Sequence, residues 1–427
     1  MAISIGDQLA KFIIDLLYFV GLYFSLFWLS VLLVPPQKKK SGKKSGKWPG
    51  VTIIVPMYDE ENTIEGTLKS IFALDYPKNK LRVICVNDGS HDNTVSVCKT
   101  LQKRFHFELI NQKNKGKFAA VNVALEKTTS PFFACFDADS YTEAHSLKNM
   151  IAEFDDDKIG AVLPVMKVDN PQNVLQRMQW LEYLINIYYK SIMGELDCIH
   201  VTPGPFSIYR TDVVHKLGNF NRAHMAEDLE LALRLQENDY IIRQSLTATI
   251  HTKTPPKLKG FISQRTRWYQ GTLLNVRDYK HFLFNKKYGD FGLFHMPLVA
   301  VTGILTFAGV TTAIYLFIKA IYNTFKGWYL TGFDFLTYIK AWTYTFTLLD
   351  INFEVLFTGI VLFSLTAWFI YLSLIASKER ISQLRQAKYF VTFAAFFSLY
   401  QFILGYIWMK VLFRLIFKRE NKWDKVN

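Results

Sequence analysis

Cysteine is scarce in this chain. The 427 residues hold 4 of them, and Cys85, Cys98, Cys135 and Cys198 form no C-x-x-C pair. A disulfide scaffold is excluded, and reduced, buried thiols are expected. A glycine-rich phosphate loop of the Walker or dinucleotide type is missing, which disfavours a nucleotide hydrolase or a dehydrogenase. No internal repeat is evident. Disorder is excluded because half of the residues are hydrophobic. That hydrophobicity, with this length, also disfavours a single compact soluble domain. Acidic residues are in deficit: Asp plus Glu number 36 against 50 Lys plus Arg, a net charge of +14. Such a balance suits nucleic acid, an anionic membrane face or a phosphorylated substrate.

The apolar residues are clustered. Leu16–Val34 carries no charge, Leu293–Ile318 is ionisable only at His295, and Val355–Ala376 and Tyr389–Met409 are charge-free. About 20 apolar residues cross a bilayer as a helix, and none of these runs shows the polar face of a buried soluble helix. Four spans are expected. The first ends in Val34-Pro35-Pro36 without a small-residue cleavage site, so it reads as an uncleaved anchor.

Lysines at 38, 39, 40, 43, 44 and 47 follow that anchor. Positive charge beside a span stays cytoplasmic. No aromatic residues interleave these lysines, so a nucleic-acid tail is disfavoured, and no nucleic-acid partner is expected. The layout is a membrane helix over 1–35, a basic cytoplasmic linker over 36–49, a soluble domain over 50–255, membrane-interface helices over 256–290, and a C-terminal membrane region with a basic cytoplasmic tail over 291–427. The last region holds three spans, or four if the aromatic stretch 327–352 crosses. The basic stretches 378–388 and 418–425 both look cytoplasmic. Either 389–417 re-enters, breaking near Gly405, or 327–352 spans.

Within 50–255, apolar β-rich runs alternate with helical spacing. Strands are expected at Val51–Val55, Leu81–Val86, Phe107–Ile110 and Phe132–Phe136, with helices at Glu61–Ala73, Asp92–Phe105 and Lys117–Lys127. This alternation predicts an α/β fold with a mainly parallel sheet. Ligands in such sheets bind at the carboxyl ends of the strands. The polar segments after strands one, two and four therefore fall on one rim. Asp-x-Asp is a weak signal by itself, and Asp155-Asp156-Asp157 matches it with no strand leading in. Asp137-Ala138-Asp139 follows a strand, where two carboxylates on a turn suit a hard divalent cation completed by phosphate oxygens.

Further elements follow in order: Val55-Pro56-Met57-Tyr58-Asp59-Glu60, Asn87-Asp88-Gly89-Ser90, Lys115-Gly116-Lys117, Glu227-Asp228, and Gln264-Arg265-Thr266-Arg267-Trp268. Together they resemble the membrane-embedded family 2 glycosyltransferases of the processive branch, which includes the cellulose, chitin, hyaluronan and poly-N-acetylglucosamine synthases. The resemblance covers about Val51–Trp268. It departs at Asn87, where the family's Asp-Asp-Gly-Ser element begins with Asp, and at Ala226, where Thr precedes Glu-Asp.

The resemblance implies a GT-A, Rossmann-like cytoplasmic domain plus a helical membrane domain. It implies a UDP-sugar donor, Mg2+ or Mn2+, and inversion at the anomeric carbon. Tyr58 would stack on the base, Asp88 accept from the uracil imide, and Glu60 meet nucleotide hydroxyls. Lys117, Gln264 and Arg267 would contact the donor diphosphate region, Arg267 with several donors at once. Asp139 would hold the metal, with Asp137 on metal or nucleotide. Asp228 would be the general base, next to Glu227. Trp268 would stack on an acceptor sugar, with Gly204 and Pro205 nearby in a Gly-Pro loop where Phe206 stands in the place of a frequent Cys. Lys422–Val426 faintly resembles a gating loop.

Residues 174–192 carry an apolar stripe that suits a membrane-facing or a core helix. The implied activity is extension of a β-linked polysaccharide by a multi-pass membrane protein, with room for an accessory subunit or a homo-oligomer. Single transfer to a polyprenyl phosphate or other lipid is the alternative. A scaffold that merely keeps the fold is opposed by the acids at 88, 137, 139 and 228.

Overall fold

The computed structural model describes residues 5–33, 48–334, 353–379 and 386–417. The basic linker, the stretch 335–352 and the tail with Lys422–Val426 lie outside the described residues.

The expected alternation is present. The strands are β1 (Val51–Met57), β2 (Leu81–Asn87), β3 (Glu108–Asn111), β4 (Phe132–Cys135), β5 (Ser140–Thr142), β6 (Ile159–Val168), β7 (Ser207–Arg210) and β8 (Ile241–Thr252). They form one sheet in the order β3-β2-β1-β4-β7-β6-β8-β5. β1 pairs in parallel with β2 (Val51 opposite Leu81) and with β4 (Val51 opposite Phe132), and β6 runs parallel to β8. β7 is antiparallel to both β4 and β6. β1 is buried almost throughout because both faces of the sheet are covered. Side chains alternate across a strand. Ile54 therefore joins the core on one face, with Ala120 and Val121, while Ile53 and Val55 join the other, with Ile64 and Leu68.

The helices before the C-terminal region are α1 (Ile5–Leu33), α2 (Ile64–Phe72), α3 (Thr94–Leu101), α4 (Lys117–Glu126), α5 (Ser146–Ile151), α6 (Val174–Glu195), α7 (Thr211–Lys216), α8 (Glu227–Glu237) and α9 (Leu258–Asp278). Three long helices follow: α10 (Phe291–Leu330), α11 (Phe353–Ala376) and α12 (Ala387–Ile416). Among the described residues, three helices are long and apolar enough to cross a membrane, and they lie in α10, α11 and α12. The first expected span overlaps the 29-residue α1 over 16–33, and Val34 lies outside the described residues.

Of the two alternatives for the C-terminal region, the stretch 335–352 lies outside the described residues, and α12 runs through Gly405 without a break, with a π-turn at Phe396–Tyr400. Gly405 is a close-packing point instead. A Cβ there would lie 2.3 Å from Val310 Cγ2 of α10, and small residues let apolar helices approach.

The apolar stripe over 174–192 resolves as α6, opened by a capping box in which Asn173 accepts from Gln176 N–H at 2.9 Å. It is both membrane-facing and core. Its Met178, Trp180, Leu181 and Leu184 pack with Ile370 and Leu374 of α11 and Phe396 of α12. Its Tyr188, Ile192 and Met193 join the core of the sheet. Polar ties reinforce this joint: Arg177 donates to Thr392 Oγ1 at 3.1 Å, and Lys167 pairs with Glu379 at 3.0 Å. All four cysteines are free and buried.

Candidate active site

The carboxyl ends of β1, β2 and β4 open onto one cavity of about 1240 Å3. The strand order reverses between β1 and β4, which is where open α/β sheets bind ligands. Tyr58, Glu60, Asp88, Lys117, Asp137, Asp139, Gly204, Pro205, Glu227, Asp228, Gln264, Arg267 and Trp268 all line this cavity. Every site residue read from the sequence is therefore gathered into one place.

The nucleotide side is built by cross-loop bonds. Asp59, in the left-handed region at φ 53°, accepts from His91 N–H at 2.6 Å and donates its own N–H to Ser90 Oγ at 3.0 Å. Tyr58 OH lies 3.2 Å from His91 Nδ1. Asp88 is 4% exposed and more occupied than a free acceptor for a base. Its Oδ1 accepts from Gln112 Nε2 at 2.6 Å and Lys115 N–H at 2.9 Å, and its Oδ2 from Gly116 N–H at 2.9 Å. A carboxylate offers about four acceptor positions. Asp88 thus shapes the Lys115–Lys117 loop and keeps one position for a further N–H.

Lys117 opens α4 and pairs with Asp137. Burial alone would lower its ammonium, but the charges of Asp137 and Glu227 outweigh that, and the net shift is upward. Gly204 is required by this pair. A Cβ there would lie 2.2 Å from Lys117 Nζ and 3.1 Å from both Asp137 carboxylate oxygens.

Asp139 takes a hydrogen bond from Ser140 Oγ at 3.1 Å. Burial first, then the charges of Asp137 and Glu60, push its carboxyl up to about 7. Among the described residues, no group of three or more His, Cys, Asp or Glu side chains could hold a metal alone. A buried carboxylate facing two like charges is relieved by a divalent cation, with diphosphate oxygens filling the remaining shell. The donor set fits Mg2+ or Mn2+.

Asp228 sits in the first turn of α8, where the helix dipole favours an acid. Its Oδ1 accepts from Leu229 N–H at 2.9 Å. Its backbone carbonyl accepts from Thr202 Oγ1 at 2.7 Å, which ties α8 to the Gly-Pro loop. Burial raises the carboxyl of adjacent Glu227, against the pull of Lys117.

The approach to α8 is strained. Ala223, His224 and Met225 have φ of 42°, 56° and 66°, each costing on the order of 1–3 kcal/mol. His224 bonds Asp278 of α9 at 2.7 Å, and Asn275 donates to the Ala223 carbonyl at 3.3 Å. Deeper in α8, Glu230 and Arg234 form a buried pair at 2.8 Å that also engages Tyr279 OH at 2.7 Å. α9 thus holds the start of α8 in place. Phe206, also left-handed at φ 57°, is fully buried against Phe136 at 4.9 Å. It supports the strand end that leads to Asp137.

Residues 52–218 match the Glycosyl transferase family 2 profile. The chain carries a family 2 glycosyltransferase domain. The matched region ends before α8, so Asp228 and the α9 motif lie beyond it. Poly-beta-1,6-N-acetyl-D-glucosamine synthase of Staphylococcus epidermidis is 25% identical over 333 residues, covering 73% of this chain and 80% of that one. The protein of the same name from Staphylococcus aureus (strain MSSA476) is 26% identical over 302 residues, covering 67% and 72%. A mannosyltransferase from Pyrobaculum calidifontis, solved in complex with GDP-Man and Mn2+, has a TM-score of 0.63 at 20% identity, covering 88% of this chain and 98% of that one. That likeness shows a shared GT-A fold.

Among the cavity residues that the sequence did not single out are Lys190 and His200. Burial lowers the ammonium of Lys190 of α6 to about 8, while the charge of Asp228 opposes the shift. A charged residue interrupting the apolar stripe of 174–192 was the available signal. His200 bonds His295 of α10 at 2.7 Å, and burial, followed by the charge of Lys190, lowers its imidazole to about 4. Nothing local marks it, since its partner lies 95 positions away.

Proposed function

We propose that this chain is a processive inverting glycosyltransferase that extends a β-linked polysaccharide from a UDP-sugar. Its catalytic domain faces the cytoplasm, and the product leaves across the membrane. The observation that carries this reading is that Arg267 and Trp268 line the same cavity as Asp228 and the Asp137–Asp139 pair. A donor-binding and an acceptor-holding group thus share one chamber. The similarity to the Staphylococcus poly-beta-1,6-N-acetyl-D-glucosamine synthases supports a polysaccharide product.

The donor lies with its base near Tyr58 and Asp88 and its diphosphate between Lys117 and Arg267. An acceptor hydroxyl points at C1 of the donor sugar. Asp228 takes the hydroxyl proton as the new O–C1 bond forms on the face opposite the diphosphate, and the C1–O bond to the β-phosphate breaks with its electron pair. Lys117 and Arg267 offset the charge that gathers on the departing UDP. Asp139, with Asp137 beside it, would hold a divalent cation, which neutralises diphosphate charge when bound. Trp268 offers a ring face on which the elongated product stays stacked while UDP is exchanged.

The test is detergent-purified full-length protein incubated with a panel of UDP-sugars and Mg2+ or Mn2+, with GDP-Man as a further arm. UDP release and product mass are read. A ladder of polymer from one UDP-sugar is expected. A product carrying one sugar on a lipid would overturn processivity, and release of GDP alone would overturn the donor class.

A further inference from the structure

Arg265 lies inside the Gln264–Trp268 segment, yet it is turned away from solvent entirely, at 0% exposure. Its guanidinium carbon sits 4.1 Å from the centroid of the Trp268 ring, and 5.1 Å and 6.0 Å from those of Phe261 and Tyr183. Trp268 itself is 36% exposed and lines the cavity. One face of the indole is therefore backed by a cation, which the ring's quadrupole attracts most strongly where water is excluded.

The cation is anchored in turn. Arg265 pairs with Glu182 of α6, and the same Glu182 Oε2 accepts from Tyr400 OH at 2.7 Å. Tyr400 is the last residue of the π-turn in α12 and is 1% exposed. Such turns insert an extra residue and re-aim side chains at functional positions. α9 meets α12 again one turn on, where Tyr269 and Trp408 stack at 4.6 Å and 7°.

We propose that Arg265 is a positioning residue for Trp268, and that Glu182 and Tyr400 hold it so that the last membrane helix sets the platform on which the product rests. This rests on the reading of Trp268 as an acceptor platform. A loosened platform lets water compete with the acceptor. The base end of the donor is carried by other elements, at Tyr58 after β1 and Asp88 after β2.

The variants are Arg265→Lys, which keeps the charge for Glu182 but loses the planar stack, and Tyr400→Phe, which loses only the hydroxyl. Trp268→Ala is the reference. Each is purified full-length, its thermal midpoint is recorded, and the readouts are donor KM and the partition of consumed UDP-sugar between polymer and free sugar. The expected result is a free-sugar fraction raised several-fold in Arg265→Lys and less in Tyr400→Phe, with donor KM changed by a smaller factor than that fraction, and no further rise when Arg265→Lys is added to Trp268→Ala. If Trp268→Ala raises that fraction and neither other variant does, the positioning role is overturned while the platform stands. If Trp268→Ala leaves the fraction unchanged, the platform reading falls and this inference with it.

Discussion

Replacing Gly204 by Ala should leave the fold intact and still disable the enzyme. The added Cβ would sit 2.2 Å from Lys117 Nζ and 3.1 Å from Asp137 Oδ1 and Oδ2. The lysine tip must withdraw by roughly 1.2–1.8 Å to regain ordinary van der Waals separation. It is the far end of a flexible side chain, so folding cost is small. Gly204 has no positive φ to lose. What is lost is the placement of the ammonium against the donor diphosphate. A hydrogen bond to a charged group is worth about 1.5–3 kcal/mol, which corresponds to roughly 10- to 150-fold in kcat/KM. The assay is UDP release at varied UDP-sugar, with thermal midpoints alongside. Because the effect acts through Lys117, Gly204→Ala should add little to Lys117→Ala in a double-mutant cycle. Turnover at the unsubstituted rate, or full additivity with Lys117→Ala, would refute the reasoning.

Asp228→Asn should lower turnover by about 10²- to 10⁴-fold while donor binding, measured by calorimetry, persists; near-normal turnover would remove the base assignment. Asp139→Asn should abolish the thermal stabilisation that Mn2+ plus UDP gives, and a retained shift would move the metal elsewhere. His200 should make the protein acid-sensitive. Its imidazole is held at about 4 against an ordinary 6.5, so between those pH values the unfolded chain takes up a proton that the folded one refuses. Stability therefore falls as pH drops through that window, by at most about 1.4 kcal/mol per unit from this group. His200→Gln should flatten the decline of the thermal midpoint between pH 6.5 and 4, and an unchanged decline would place its origin in other groups. Residues 50–255 expressed alone should need detergent, because the Met178–Leu184 face of α6 loses its cover from α11 and α12; a soluble, monodisperse product would contradict that packing.

Much of the site was legible because its chemistry sits where strands stop. β1 ends at Met57 before Tyr58, β2 at Asn87 before Asp88, and β4 at Cys135 shortly before Asp137. Hydrophobic runs followed by polar residues locate those points without coordinates. The Gln264–Trp268 segment was legible as chemistry but not as architecture. Its arginines look alike in sequence and both border the cavity, yet Arg265 is fully buried against the Trp268 ring and paired with Glu182. The need for glycine at 204 depends on where Lys117 and Asp137 point, and those side chains come from two other elements. At Gly405 the unbroken helix has a physical reason. Glycine permits a bend in water, but in an apolar phase the backbone keeps its hydrogen bonds, and the residue serves close contact instead.

The choice between a membrane-facing and a core role for the 174–192 helix has no single answer, because α6 does both along its length. Its first half packs on α11 and α12, its second half enters the sheet core, and Glu182, Asn186 and Lys190 between and beyond them face the cavity. An apolar stripe of uniform period records only that one side is dry. It does not record that the dry surface changes from a membrane helix to a sheet. Spacing within the stripe carries the missing information. Glu182 is one residue past Leu181, which packs in the membrane joint, and Lys190 is two past Tyr188, which packs in the sheet core. Glu182 and Lys190, next to these buried neighbours, line a third surface, the cavity wall. Arg177 and Gln179 of the same helix instead bond Thr392 and the Pro255 carbonyl, so a polar residue within the stripe marks a break in the dry surface, and the fold decides whether that break is a helix joint or a chamber wall.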